Sequence, residues 1–100
     1  MKDLVEVFKA LSNSNRMKIY RTIRVRIVEH HDSSDQEECC VGDICKEFEI
    51  TPSTISHHLK ELQRAGLISM EREGQFSHIS INEDIFSEVR KFFEEIDEDW

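Results

Sequence analysis

The stretch Thr51-Pro52-Ser53-Thr54-Ile55-Ser56-His57-His58-Leu59-Lys60-Glu61-Leu62-Gln63-Arg64-Ala65-Gly66-Leu67-Ile68 decides how this chain is read. At the helical step of about 100° per residue, Ile55, Leu59 and Leu62 fall within one narrow arc, while Ser53, Ser56, His57, Lys60, Gln63 and Arg64 gather on the opposite side. The spacing predicts a helix with one packing face and one hydrogen-bonding, basic face. A threonine hydroxyl can cap the first amides, and proline is tolerated in the first turn, so Thr51-Pro52 marks the start; Gly66 supplies the stop.

Immediately upstream, Val41, Ile44, Cys45 and Phe48 stand at i, i+3, i+4 and i+7, the apolar side of a second short helix. Glu49 and Ile50 leave room only for a tight turn. Two such helices form a helix-turn-helix over about 41–65, whose second member enters the major groove of double-stranded DNA. Downstream, the alternating runs 67–72 and 75–81 around Glu73-Gly74 predict a hairpin wing, with Ile68 and Met70 matched to Ile79 and Ile81 as inward residues. Small domains also carry paired helices and a hairpin without touching nucleic acid, so a protein-protein interaction module is the alternative reading.

The 100 residues suit one small domain, and no repeat or low-complexity tract interrupts them. A hydrophobic share of 38% with 34% charged residues, one proline and three glycines, fits a compact and mainly helical chain rather than a disordered one. The start at Met1-Lys2-Asp3-Leu4 reads directly as an amphipathic helix, with no signal pattern and no apolar run of membrane-spanning length. A cytoplasmic protein without membrane contact is expected. Three cysteines, two of them adjacent, fit a reducing compartment better than a disulfide framework.

The net charge of −8 opposes DNA binding until it is divided along the chain: +5 over 1–28, −7 over 29–49, 0 over 50–81 and −6 over 82–100. The acid lies away from the reading segment. That segment is still only neutral, which predicts modest affinity and a shallow salt dependence, both improved by dimerisation.

Leu4, Val7, Phe8 and Leu11 stripe a first helix that ends at Ser12-Asn13-Ser14, and a second helix runs over about 15–29 with Ile19, Tyr20, Ile23 and Ile27 on one side. Its Lys18, Arg21, Arg24 and Arg26 would either approach phosphates or offset nearby carboxylates, and the second role is expected. Residues 30–38 hold turn formers and no periodic apolar position, so an exposed segment is expected there. In the last helix Ile85, Val89, Phe92, Phe93 and Ile96 form an apolar stripe with acid behind it. With Leu4 and Phe8 it predicts a two-fold homodimer through terminal helices at about 2–11 and 84–98. The fold expected is thus mainly α (α+β), a winged helix-turn-helix of five helices and a two-stranded β-hairpin wing.

Laid end to end, the chain resembles the ArsR/SmtB family of winged-helix repressors. The resemblance rests on residues 7–16, on Val41-Gly42-Asp43-Ile44, on the reading helix from Ser53 to Leu59 with Ala65-Gly66-Leu67-Ile68 after it, and on Arg72-Glu73-Gly74-Gln75. It implies a homodimeric repressor released from its operator by an inducer, commonly a metal or metalloid. It also implies DNA contacts through Ser53, Thr54, Ser56 and His57 and through a wing arginine at Arg72. The outward face adds Lys60 and Arg64, the wing adds Gln75, and Thr54 lies at the edge of that face. His58, at the border of the apolar arc, is expected to be packed and hydrogen-bonded.

Metal-sensing relatives often carry two cysteines one residue apart where this chain has Cys40-Val41-Gly42, so Gly42 stands in place of the second. A metal or metalloid would therefore fall to Cys39, Cys40 and Cys45, whose thiolates suit trivalent arsenic or antimony, or zinc with an added histidine. Cys45 lies on an apolar stripe and reads as a core residue, whereas Cys39 and Cys40 would bind a metalloid, sense oxidants or form a short strand beside the wing. The last helix has no histidine, which argues against nickel or zinc sensing there. No bound group is needed for the fold, and no catalytic constellation emerges: Ser56 and His57 are neighbours on a helix surface, so an enzyme is not expected.

Overall fold

Caps and apolar periodicity divide the chain close to where the spacing predicts. The structure, a computed structural model, describes residues 4–29, 39–74 and 76–99; the predicted exposed segment 30–38 and the wing residue Gln75 lie outside them. The elements are α1 (Leu4–Leu11), α2 (Ser14–Glu29), β1 (Cys39–Cys40), α3 (Val41–Glu47), α4 (Pro52–Arg64), β2 (Ile68–Glu73), β3 (Phe76–Ile81) and α5 (Glu83–Asp99).

Local chemistry accounts for the ends of α4. Thr51 is extended (φ −62°, ψ 145°) and its hydroxyl accepts from the Thr54 amide at 3.4 Å. At the other end the Gly66 amide donates to the Gln63 carbonyl and the Leu67 amide to the Leu62 carbonyl, both at 3.0 Å. This paired reversal requires a left-handed residue, and Gly66 supplies it at φ 86°. Replacing Gly66 by alanine should destabilise the fold by about 1–2 kcal/mol, because a Cβ is strained in that region, and chemical denaturation reads the loss directly.

The hairpin forms in the predicted register, with Ile68 opposite Ile81 and Met70 opposite Ile79. A third strand lies beside the wing. Cys39 and Cys40 pair antiparallel with Ile79 and His78, so the order is β1-β3-β2 and a third, two-residue strand covers the free edge of β3. The two-stranded wing is as expected, and the short strand beside it is one of the readings that the sequence leaves open for Cys39 and Cys40.

Ile19 and Ile23 from α2, Ile44 from α3, Ile55, Leu59 and Leu62 from α4, and Leu67 and Ile68 after it are almost wholly enclosed. Together with Val7 of α1 and Ile79 of β3 they join the helical layer to one face of the sheet. Asn82 fastens α5 to this body. Its Oδ1 accepts from the Asp84 amide (3.1 Å) and the Ile85 amide (3.4 Å), while its Nδ2 donates to the Gly66 carbonyl (2.9 Å). One side chain therefore caps α5 and holds the end of α4.

The stripe of α5 emerges from this core into solvent: Ile85 is buried and Val89 half-buried, but Phe92, Phe93 and Ile96 are 38%, 53% and 37% exposed. Phe8 of α1 joins them, with ring centroids 5.6 Å from Phe92 and 5.9 Å from Phe93, and Leu4 is half-buried on the same helix. An uncovered aromatic cluster of this kind needs apolar company.

Candidate nucleic-acid interface

The faces of α4 separate as the helical step dictates. Ile55, His58, Leu59 and Leu62 are buried, while Ser53, Thr54, Ser56, His57, Lys60, Gln63 and Arg64 are exposed. Thr54 is engaged locally, its hydroxyl 2.8 Å from that of Thr51, so its place at the edge of the face matches a capping role. Arg64 reaches Glu61 at 3.6 Å with its side chain 80% exposed, an ion pair too solvated to hold it firmly.

The wing arginine lies on the same side of the sheet as α4. Ile68, Met70 and Arg72 alternate along β2, so they share one face, and α4 packs on that strand. Exposure rises along this series, from buried Ile68 through half-buried Met70 to exposed Arg72, because the hairpin runs out beyond the helices. Arg72 Nε donates to the Gly74 carbonyl at 3.4 Å, which ties the guanidinium to the turn. Gly74, at φ 61°, permits that turn.

Four of the five basic residues of α2 divide into two pairs. Arg24 stacks over the Phe86 ring at 3.6 Å and meets Glu83 at 3.5 Å, while Arg26 bridges Asp43 at 3.8 Å and also pairs with Glu47. These two hold α5 and α3 against α2, in keeping with the expectation that they offset carboxylates. Lys18 and Arg21 remain exposed.

His58 is 6% exposed and accepts at Nδ1 from Arg16 Nε at 3.5 Å. Burial, reinforced by the Arg16 guanidinium and by His57, pushes its pKa below the ordinary 6.5. The unfolded chain therefore takes up this proton first as pH falls. The contribution of His58 to stability is complete above pH 6.5 and is lost as pH drops below that value, levelling off below the folded-state pKa. Unfolding free energies measured between pH 7.5 and 5 should show the decline, and it should flatten in His58→Gln.

Of the predicted metal ligands, Cys45 is half-buried on α3 against the core, as its stripe position suggests. Cys39 and Cys40 make up β1, where successive positions fall on opposite faces of the sheet. Among the described side chains no group of three or more His, Cys, Asp or Glu gathers to hold a metal ion. No described helix is long and apolar enough to cross a membrane.

Sequence reasoning missed Arg16 and Asn82. For Asn82 the local signal was present, an asparagine directly before Glu83 and Asp84 at a helix start. For Arg16 the signal was its place at the end of the family-like stretch 7–16, which does not reveal a partner, His58, that lies 42 residues away.

The family model for bacterial regulatory proteins of the arsR family matches residues 34–70, from the segment before β1 to β2. Along most of its length the chain is 35% identical to YbzH of Bacillus subtilis, an uncharacterized helix-turn-helix transcriptional regulator, covering 88% of this chain and 92% of that one. The chain belongs to the ArsR family. As a member it is a helix-turn-helix transcriptional regulator. The chain is also 37% identical to the transcriptional repressor SdpR of Bacillus subtilis over 76% of this chain and 72% of that one. The fold matches the crystal structure of an ArsR-family regulator with a TM-score of 0.78 at 20% identity, covering 97% and 94% of the two chains. It also matches the solution structure of the homodimeric winged helix-turn-helix domain Mb0332 of Mycobacterium bovis, with a TM-score of 0.64 at 27% identity and coverages of 92% and 79%.

Proposed function

We propose that this ArsR-family regulator is a homodimeric repressor that reads a roughly palindromic operator with α4 and steadies it with the wing. The observation carrying this reading is the clean division of α4, which buries Ile55, His58, Leu59 and Leu62 and leaves Ser53, Ser56, His57, Lys60 and Arg64 in solvent. Hydroxyls, an imidazole and cations are the groups that meet base edges and phosphates in a major groove. Arg72, on the same side of the sheet, would reach the flanking backbone, and Gln75 completes the proposed wing contacts.

Phe8, Phe92, Phe93 and Ile96, with Leu4, Ile85 and Val89 beneath them, form the proposed two-fold interface. The homodimeric relative Mb0332 supports that reading. Such a dimer sets two reading helices about 34–36 Å apart, one turn of DNA. Three exposed cations per protomer, Lys60, Arg64 and Arg72, bound the salt slope at about 5 for the dimer, shallow for a repressor. Gel shifts with the DNA upstream of its own gene test the function. Failure to bind with and without reductant would favour the interaction-module reading.

The proposed signal is chemical change at Cys39 and Cys40, with a metalloid, a metal ion or an oxidant as inducer. The strand supports Cys40 more than Cys39, because Cys40 shares a sheet row with His78 and Glu71, whereas Cys39 aligns with Ile79 and Met70. Replacing both cysteines by serine should leave operator binding within about twofold while abolishing release by arsenite or peroxide. Unchanged release in that variant would leave the cysteines a structural role.

A further inference from the structure

Arg16 stands where three helices meet, and nothing in the proposed DNA face uses it. Its backbone is fixed first: the Arg16 amide donates to Asn13 Oδ1 at 3.0 Å, so Asn13 caps α2 and presents Arg16 in the first turn. The side chain then reaches two other helices. Nη1 donates to the Ala10 carbonyl at 3.2 Å, one of the carbonyls that the end of α1 leaves without an intrahelical partner, and Nε donates to His58 Nδ1 at 3.5 Å on the buried side of α4. Beside this junction, between α1 and α4, lies a cavity of about 320 Å3 lined by Glu6, Lys9, Ala10, Arg16, Glu61, Arg64 and Ala65. Arg16 therefore adds a polar bridge at the edge of the packed contact between α1 and α4.

We infer that Arg16 is a positioning residue for DNA reading: its guanidinium fastens α4 to the end of α1 and so fixes the separation of the two reading helices. The inference rests on the operator-reading dimer proposed above. Its physical basis is that a guanidinium is a rigid fork of donors, able to hold a carbonyl and an imidazole in one fixed relation. A change of half-site separation is costly for a dimer that must engage both half-sites at once.

The fastening depends on a neutral imidazole. Protonated His58 has no acceptor at Nδ1 and places a second positive charge beside the guanidinium. The charged groups around the junction are Glu6 and Lys9 on α1, Arg16 on α2, and His57, Glu61 and Arg64 on α4. Glu6 is 3.7 Å from Lys9, and Glu61 is 3.6 Å from Arg64, so each nearby acid already has a cation of its own. Acidification should therefore loosen the bridge.

The test uses the full chain and an operator that the wild-type protein selects from random duplexes about three helical turns long. Arg16→Gln and His58→Gln are compared with wild type for helicity, oligomeric mass, affinity for the selected operator and affinity for an unrelated duplex. The expected result is that both variants remain folded dimers, lose about tenfold in operator affinity, change by less than about twofold on unrelated DNA, and tolerate altered half-site spacing. By NMR, the His58 titration should move upward in Arg16→Gln. Operator affinity equal to wild type in either variant, equal losses on both duplexes, unfolding of both variants, or an unmoved His58 titration would each overturn the inference. If the wild-type protein selects no duplex, the operator reading itself fails, an outcome distinct from failure of the Arg16 variants.

Discussion

Replacing Lys60 and Arg72 together by alanine should lower operator affinity by about a hundredfold, with little change in stability. Both side chains are exposed and neither supports the core, so the fold loses only solvated methylenes. The DNA complex loses four cations per dimer, and contacts of this kind contribute about 1–3 kcal/mol where they meet a base edge and less where they meet phosphate. The effect should exceed that in a basic repressor because residues 50–81 carry no net charge and leave few neighbours to compensate. The salt slope should shrink by up to about 4, which separates loss of phosphate contacts from loss of fold. Affinity and slope unchanged in the double variant would move the DNA face elsewhere.

Phe93→Glu should convert the dimer to a monomer at micromolar concentration. Phe93 is 53% exposed in the isolated chain, yet it packs edge-on against Phe92 at 5.3 Å and near Phe8, at the centre of an apolar cluster. In a two-fold interface the substitution acts twice, burying two carboxylates against aromatic rings beside a segment of net charge −6. At about 2 kcal/mol or more per site, dimerisation should weaken by about a thousandfold. Operator affinity should fall with it, because a monomer loses the second half-site, while helicity persists since Phe93 lies outside the buried core. Sedimentation that still shows a dimer would place the interface on another surface.

The Phe93 and Lys60/Arg72 variants also separate what was legible in the sequence from what was not. α4 was readable because everything that makes it is local: Thr51 caps within three residues, Gly66 turns the chain within two of its end, and one helical period sorts its faces. The wing register followed from a two-residue period on both sides of one glycine. The roles of Arg24 and Arg26 were visible only as a choice between phosphate and carboxylate, since Glu83, Asp43 and Glu47 come near them only in the folded chain. β1 was one of several readings for Cys39 and Cys40, because two residues carry no detectable period.

By itself, then, the sequence determined the reading helix, its helical partner, the hairpin and the exposed stripe on α5, all products of caps and periodicities acting within a few residues. The tertiary structure alone decided that Arg72 shares a side of the sheet with α4, that Asn82 holds both ends of one junction, and that Arg16 bridges α1 to His58 across the core. Contacts such as these join residues up to 42 positions apart, and only the packing of the whole core fixes which of many compatible side chains meet.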